Sequence, residues 1–277
     1  MSTLEDHGVV LYGCGKMGEA IARGAVGSGA LAPERLSLVD RQVKRVTRIA
    51  DALGATFGWR DPGEETPRLV VVAVKPQHVE DALRAHAWRD QDVIVSVAAG
   101  VSIGSLRRWA PGAGGFVRAM PNTPSLVGEG VTGIMADAGT DLDAARALFA
   151  AIGEVVELTD EAMFDPLTAI SGSGPAYFFT AIEALADGGV LMGLPRDVAI
   201  TLAAQTLRGA AALALSGEAH TAELKDRVAS PAGTTIAALR ELERAGFRNT
   251  LISAVEAAAT RSRELGEVMN APEDEDT

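Results

Sequence analysis

Val9-Val10-Leu11-Tyr12-Gly13-Cys14-Gly15-Lys16-Met17-Gly18 is the stretch of the chain that decides its fold. Four strand-favouring residues run straight into a G-x-G-x-x-G turn and then into a helical pattern, the join of a first strand and first helix in a dinucleotide-binding unit. Each glycine answers a separate demand: the first permits the tight turn, the second lets a pyrophosphate approach the backbone, and the third lets the helix pack closely on the sheet. The pyrophosphate would lie over the helix N-terminus, where unpaired N–H groups and the helix dipole favour an anion by roughly 0.3–2 kcal/mol. Glycine-rich turns are common, so the surroundings carry weight. A second strand, Leu36-Ser37-Leu38-Val39, ends on Asp40, about 20 positions past the glycines, where a ribose hydroxyl would be held.

Asp40 and Arg41 pull in opposite directions on cofactor choice. A carboxylate accepts from the free 2′-hydroxyl of NADH, whereas a guanidinium pairs with the 2′-phosphate of NADPH, and a solvated surface arginine would look the same. The sequence leaves both cofactors open.

Outward from this turn, apolar strand-like runs alternate with helical patterns at residues 9–12, 36–40, 69–74, 93–98, 115–120, 131–135 and 154–158, the signature of βαβ units around a mostly parallel sheet. Leu69-Val70-Val71-Val72-Ala73-Val74 is apolar on both faces and reads as an interior strand. Ligands of such sheets bind outside the carboxyl ends of the strands. That rule adds Val74-Lys75-Pro76 and Ala98-Ala99 to the cofactor candidates, although a plain strand-to-loop transition has the same pattern. By position, Met120-Pro121-Asn122 is the candidate for the nicotinamide end, facing Ser171-Gly172-Ser173-Gly174, whose glycines serve equally well as a bare linker.

Past residue 160 no β-branched run recurs, and Ala, Leu, Ile and Met take helical spacing at 175–192, 196–215, 219–229, 234–245 and 248–265. The fold class is therefore an α/β Rossmann-type N-terminal domain, a mostly parallel doubly wound sheet over residues 1–160, followed by an all-α C-terminal domain over 161–270. An acidic tail at 271–277 is expected to be disordered. The first two long helices carry few charges and are apolar nearly all round, which predicts cover from a partner subunit, hence a homo-oligomer.

Composition narrows the partners. A formal net charge of −12 opposes binding to a polyanion, so nucleic acid is excluded, while a phosphate held locally by backbone N–H groups is not. One cysteine, Cys14, rules out an intramolecular disulfide and suits a reducing compartment. Four scattered histidines give no metal-ligand spacing. No signal-peptide pattern opens the chain, and no uninterrupted apolar run reaches the roughly 20 residues that span a bilayer, so no membrane is expected and the cytoplasm follows.

With these residues on the page, the chain resembles the pyrroline-5-carboxylate reductase family over nearly its whole length. The matching segments are GCGKMGEAIARG (13–24), VVVAVKPQHV (70–79), VSVAAGVSI (95–103), VRAMPNTPSLVGEGVT (117–132), SGSGPAYFF (171–179), LADGGVLMGLPRDVA (185–199) and LKDRVASPAGTTIAALRELERAGFR (224–248). The resemblance implies a helical domain that interlocks two subunits, dimers that often assemble into larger rings, and the last step of proline synthesis: hydride transfer from NADPH or NADH to the C=N carbon of 1-pyrroline-5-carboxylate. It further implies that the loop holding Ser230, Gly233, Thr234 and Thr235 takes the carboxylate of this cyclic imino acid, with Thr235 hydrogen-bonding the ring nitrogen. Taken alone, the loop leads into a helical run, so its N–H groups and hydroxyls converge on a carboxylate site, or else form an ordinary Ser/Thr-capped helix start. The chain departs from the family at Ala232, where glycine is usual, and at Asp40, where a small or polar residue is usual.

Two other functions start from the same glycine turn. A β-hydroxyacid dehydrogenase needs a proton donor tuned near neutrality, but the helix after Ser171-Gly174 holds neither the lysine nor the asparagine of that family. A non-catalytic dinucleotide sensor would have no use for Ser230 and Thr235. An imine can enter already protonated, so hydroxyl and N–H donors suffice, and catalysis rests on placing the imine carbon against the nicotinamide.

Overall fold

The computed structural model describes residues 4–59, 63 and 66–270. The acidic tail lies outside the described residues. Strand β1 (Gly8–Tyr12) leads through the glycine turn to α1 (Lys16–Gly27), followed by β2 (Leu36–Val39), α2 (Val43–Leu53) and β3 (Thr56–Phe57). Then come β4 (Arg68–Val72), α3 (Val79–Arg84), β5 (Val93–Ser96), α4 (Ile103–Trp109), β6 (Gly115–Met120), β7 (Gly130–Ala136), α5 (Asp143–Ala150) and β8 (Gly153–Glu157). The strands form one sheet ordered β3-β2-β1-β4-β5-β6-β7-β8, parallel throughout except where β6 meets β7 antiparallel. This is the doubly wound sheet the sequence predicts. β3 escapes a sequence pattern because it is two residues long and lies at the edge.

The side chains explain why both faces are covered. Val9 and Leu11 of β1, with Leu69 and Val71 of β4, point into one core, while Val10, Tyr12, Val70 and Val72 point into the other. All five residues of β4 are buried, including Arg68 at its start. Two strands end earlier than the sequence pattern, at Val72 rather than 74 and at Ser96 rather than 98, because the next residues turn into the loops at the carboxyl edge.

The chain divides into two compact units, one comprising residues up to Gly172 and those from Ala257 on, the other Ser173–Glu256. The sequence places the boundary at 160. In the structure, α6 (Phe164–Leu167) and the wide helical turn Thr168–Gly172 stay with the sheet. Leu167 packs over Gly133, where a Cβ would come within 2.2 Å of it, and Arg118 bonds Glu161 while lying over the Phe164 ring. The second unit contains α7 (Gly174–Leu191), α8 (Arg196–Leu215), α9 (Thr221–Val228), α10 (Thr234–Arg244) and the start of α11 (Phe247–Asn270). Helices α7 and α8 approach closely where Gly189 faces Ala199, and they leave Phe178, Phe179, Leu185, Leu202 and Leu213 exposed. By length and composition α8 could cross a membrane even though Arg208 interrupts it, so the expectation about spanning length holds only for uninterrupted runs.

The end of α11 is hooked into the first unit. The Asn270 amide donates to Gly100 O (2.7 Å) and Gly266 O (2.6 Å), and its Oδ1 accepts from Ser102 N (3.0 Å) and the Ser105 hydroxyl (2.7 Å). A Cβ on Gly100 (φ +77°) would come within 3.3 Å of Gly266 Cα, so glycine meets glycine at this crossing.

Candidate functional site

The sheet's topology reverses between β1 and β4, and the carboxyl ends of these strands open a cleft of about 600 Å³. Gly13, Gly15, Asp40, Arg41, Val74 and Lys75 all line it, so the structure brings these sequence candidates together. Gly13 (φ +93°) turns so tightly that a Cβ would lie 2.6 Å from Ala73 O. A Cβ on Gly18 would lie 1.9 Å from Gly13 O, which makes this third glycine a packing residue. Around Gly15 no protein atom lies within 4 Å of a would-be Cβ, and the residue caps α1 in extended backbone without a side-chain cap. Open space over an uncapped helix start fits the pyrophosphate of a dinucleotide.

The other candidates sit differently. Cys14 is buried; its side chain faces the core, and its N–H donates to Asp40 Oδ2 (2.7 Å). Burial, aided by the Asp40 charge, pushes the Cys14 thiol up to about 12, so it stays protonated. Lys16, Met17, Gly18 and Pro76 follow the lining residues without lining the cleft themselves. Ala98 is buried and Ala99 exposed at the end of β5. At the end of β6, Pro121 and Asn122 are buried, with Met120 partly so. The Asn122 amide donates to Ser171 O (3.1 Å) while its Oδ1 accepts from Val131 N (2.9 Å), so Ser171 does meet the segment expected to face it.

Sequence reasoning missed several lining residues. Arg45, in the first turn of α2, pairs with Asp40 at 2.7 Å, and its spacing of five from Asp40 was the available signal. His78 and Asp81 come from the segment after β4. Tyr12, at the end of β1, also lines the cleft, and its hydroxyl bonds His86 Nε2. Behind it Trp59 stacks on His86 (4.4 Å between centroids), and the Arg68 guanidinium lies 4.8 Å from the Trp59 ring. Burial, with Arg68 close by, holds His86 below its usual range, so the ring is neutral where it meets the Tyr12 hydroxyl. Arg68 is itself anchored on buried Asp92, through Nε to Oδ1 at 2.8 Å.

In the second unit, Ala232 and Gly233 line a groove of about 560 Å³ at the start of α10, together with Lys225, Ile236 and Arg240. Helix α10 begins at Thr234, with Gly233 as its N-cap, no side-chain cap bond and no acid in the first turn. The Ser/Thr-capped alternative is therefore not what forms. The hydroxyls of Ser230, Thr234 and Thr235 make no cap, and the first-turn N–H groups, which have no partner within a helix, are left for an anion. Gly233 N donates to Ser230 O (3.0 Å), closing a turn that holds Ala232 at φ +55°. That is a left-handed conformation glycine adopts freely, which gives a physical reason for glycine being usual there.

Comparisons with known proteins place the chain among reductases. Residues 161–265 match the family described as pyrroline-5-carboxylate reductase dimerisation, and residues 8–100 match NADP oxidoreductase, coenzyme F420-dependent. A pyrroline-5-carboxylate reductase of Arabidopsis thaliana is 44% identical over 95% of this chain and 97% of its own length. A solved pyrroline-5-carboxylate reductase from Coxiella burnetii superposes with a TM-score of 0.86 at 32% identity, covering 94% of this chain and 99% of that one. The Plasmodium falciparum pyrroline carboxylate reductase, solved with NADP bound, gives 0.80 at 30% identity over 95% and 99%.

Proposed function

The chain belongs to the pyrroline-5-carboxylate reductase family, and we propose that its glycine-turn cleft takes the dinucleotide and that the bare start of α10 takes the carboxylate of the substrate. The enzyme is an NAD(P)H-dependent oxidoreductase that reduces 1-pyrroline-5-carboxylate to proline. The bound reduced nicotinamide supplies a hydride to the imine carbon. The residues of this chain do the rest. Gly13 and Gly15 shape the turn and leave α1's first N–H groups to the pyrophosphate; Asp40, Arg41, Val74 and Lys75 line the adenosine end; Met120, Pro121 and Asn122 lie toward the nicotinamide end.

For the substrate, the first-turn N–H groups of α10 and the hydroxyls of Ser230 and Thr234 hold the carboxylate, and the Thr235 hydroxyl meets the ring nitrogen. The imine enters protonated, so its carbon is electrophilic without a strong acid from the protein, and the amine product keeps that proton. Carboxylate binding away from the reacting bond supplies the orientation that the step needs. The observation that carries this assignment is the absence of any side-chain cap or acid at the start of α10.

The dimerisation match over 161–265 and the exposed apolar faces of α7 and α8 support a homodimer, and a larger ring of dimers is our reading of the same surfaces. A free, buried Cys14 is consistent with a cytoplasmic enzyme. The test is cofactor oxidation on adding pyrroline-5-carboxylate. Thr235→Ala is expected to lower turnover by about 10²-fold or more, the scale set by losing one donor at a reacting centre, while dinucleotide affinity holds. Unchanged kinetics would remove Thr235 from the mechanism.

A further inference from the structure

We infer that Arg45 fixes the cofactor choice of this cleft, by occupying Asp40 and presenting a guanidinium to a 2′-phosphate, so that NADPH is preferred over NADH. The inference rests on reading the cleft as the dinucleotide site. It starts from what Asp40 is doing. An acid at the end of the second strand accepts from ribose hydroxyls when its oxygens are open to the cleft. Here Oδ2 accepts from Cys14 N and from Arg45 Nη2, each at 2.7 Å, and Oδ1 accepts from Gln42 N at 2.7 Å. The side chain is 7% exposed. Asp40 is a strut that ties the glycine turn to the start of α2, with little carboxylate left to offer a hydroxyl.

Arg45 is the opposite case. Its Nη2 is used on Asp40, but its Nε, buried, has no hydrogen-bond partner among the described residues. A desolvated donor left empty costs roughly 1–3 kcal/mol, and the rest of the side chain, 35% exposed at the cleft wall, leaves guanidinium N–H groups open to a phosphate oxygen. Beside it stand Arg41, whose side chain is 77% exposed and 3.7 Å from Asp81, and Lys75. The charged side chains of the cleft are thus Arg41, Arg45 and Lys75 against Asp40 and Asp81, with His78 also on its wall. Asp40, the acid that would select a free ribose hydroxyl, is taken up by the protein's own donors, and the bases of the cleft outnumber its acids. A 2′-phosphomonoester finds charge-assisted donors where a bare hydroxyl finds no acceptor.

Two measurements test this, one of them without any reaction. Calorimetric titration compares adenosine 2′,5′-bisphosphate with 5′-AMP, and kcat/KM is determined with NADPH and NADH, for the unaltered protein, Arg45→Lys and Arg45→Met. The unaltered protein is expected to bind the bisphosphate and use NADPH about tenfold or more better than the partner ligand. In Arg45→Met, NADPH efficiency should fall about tenfold while NADH efficiency rises as Asp40 is freed, and Arg45→Lys should fall between. A preference for NADH in the unaltered protein, or a ratio within twofold of unaltered in Arg45→Met, overturns the inference. If Arg45→Met does not fold, the unaltered protein and Arg45→Lys decide. Tighter bisphosphate binding without imine reduction would sink the reductase assignment and leave this inference standing. If neither nucleotide binds, both the cleft assignment and this inference fall.

Discussion

Gly15→Ala separates folding from binding. The residue has φ −70° and ψ −169°, backbone that alanine adopts without strain, and a new Cβ would meet no protein atom within 4 Å. Loss of conformational freedom in the unfolded chain should then make the variant more stable by about 0.4–1 kcal/mol. The same methyl occupies the space assigned to the pyrophosphate and would push it off the N–H groups of α1. Displacing charge-assisted hydrogen bonds of this kind, each worth roughly 1.5–3 kcal/mol, should weaken dinucleotide binding by at least about tenfold. Thermal unfolding without cofactor and calorimetric titration with NADP read the two effects separately. Gly13→Ala is the contrast, since its methyl would sit 2.6 Å from Ala73 O at φ +93° and should destabilise the fold itself. A Gly15→Ala protein that is markedly less stable, or that binds the dinucleotide as before, would refute the placement of the pyrophosphate.

Ala232→Gly should stabilise the protein by about 0.5–1 kcal/mol, because it relieves a left-handed alanine at φ +55° at a smaller entropic cost; a lowered unfolding temperature would contradict this. Asp92→Asn leaves the Arg68 guanidinium, 4% exposed, without its counter-charge and should cost about 3–5 kcal/mol in denaturant unfolding; a loss below about 1 kcal/mol would mean the pair is not structural. His86 is held below 6.5 in the fold, so the unfolded chain takes up its proton first. Its contribution to stability is complete above that pH and is lost as the pH falls toward the folded value. Denaturant midpoints from pH 7 downward should therefore fall less steeply in His86→Gln than in the unaltered protein, and parallel slopes would rule the linkage out.

Much of the fold was legible because it is written in short-range patterns. The run 69–74 could be placed inside a parallel sheet from its unbroken apolarity, and the glycine spacing at 13–18 located the cleft before any strand was paired. What stayed hidden depends on pairs distant in sequence. Nothing local to Arg68 says that Asp92 will neutralise it, nor that Tyr12 will find His86, since each partner was selected by the fold. Asp40 shows the same limit at the site. Its position read correctly as the end of the second strand, but whether its oxygens face a ligand or the protein's own N–H groups depends on Cys14, Gln42 and Arg45 together. The boundary at 160 was set by the change from strand to helix patterns, whereas Leu167 and Phe164 pack on the sheet and carry the first unit on to Gly172.

Asn270 bonds to Ser102 across 168 residues of chain. A ribosome making this protein delivers that amide well after the sheet, once the helical half has emerged. Until then Gly100 O and Ser102 N lack the partner that Asn270 gives them, so this corner of the dinucleotide unit is fastened long after its last strand has been made. A chain cut short before Asn270 would carry every strand of the sheet and still lack that fastening.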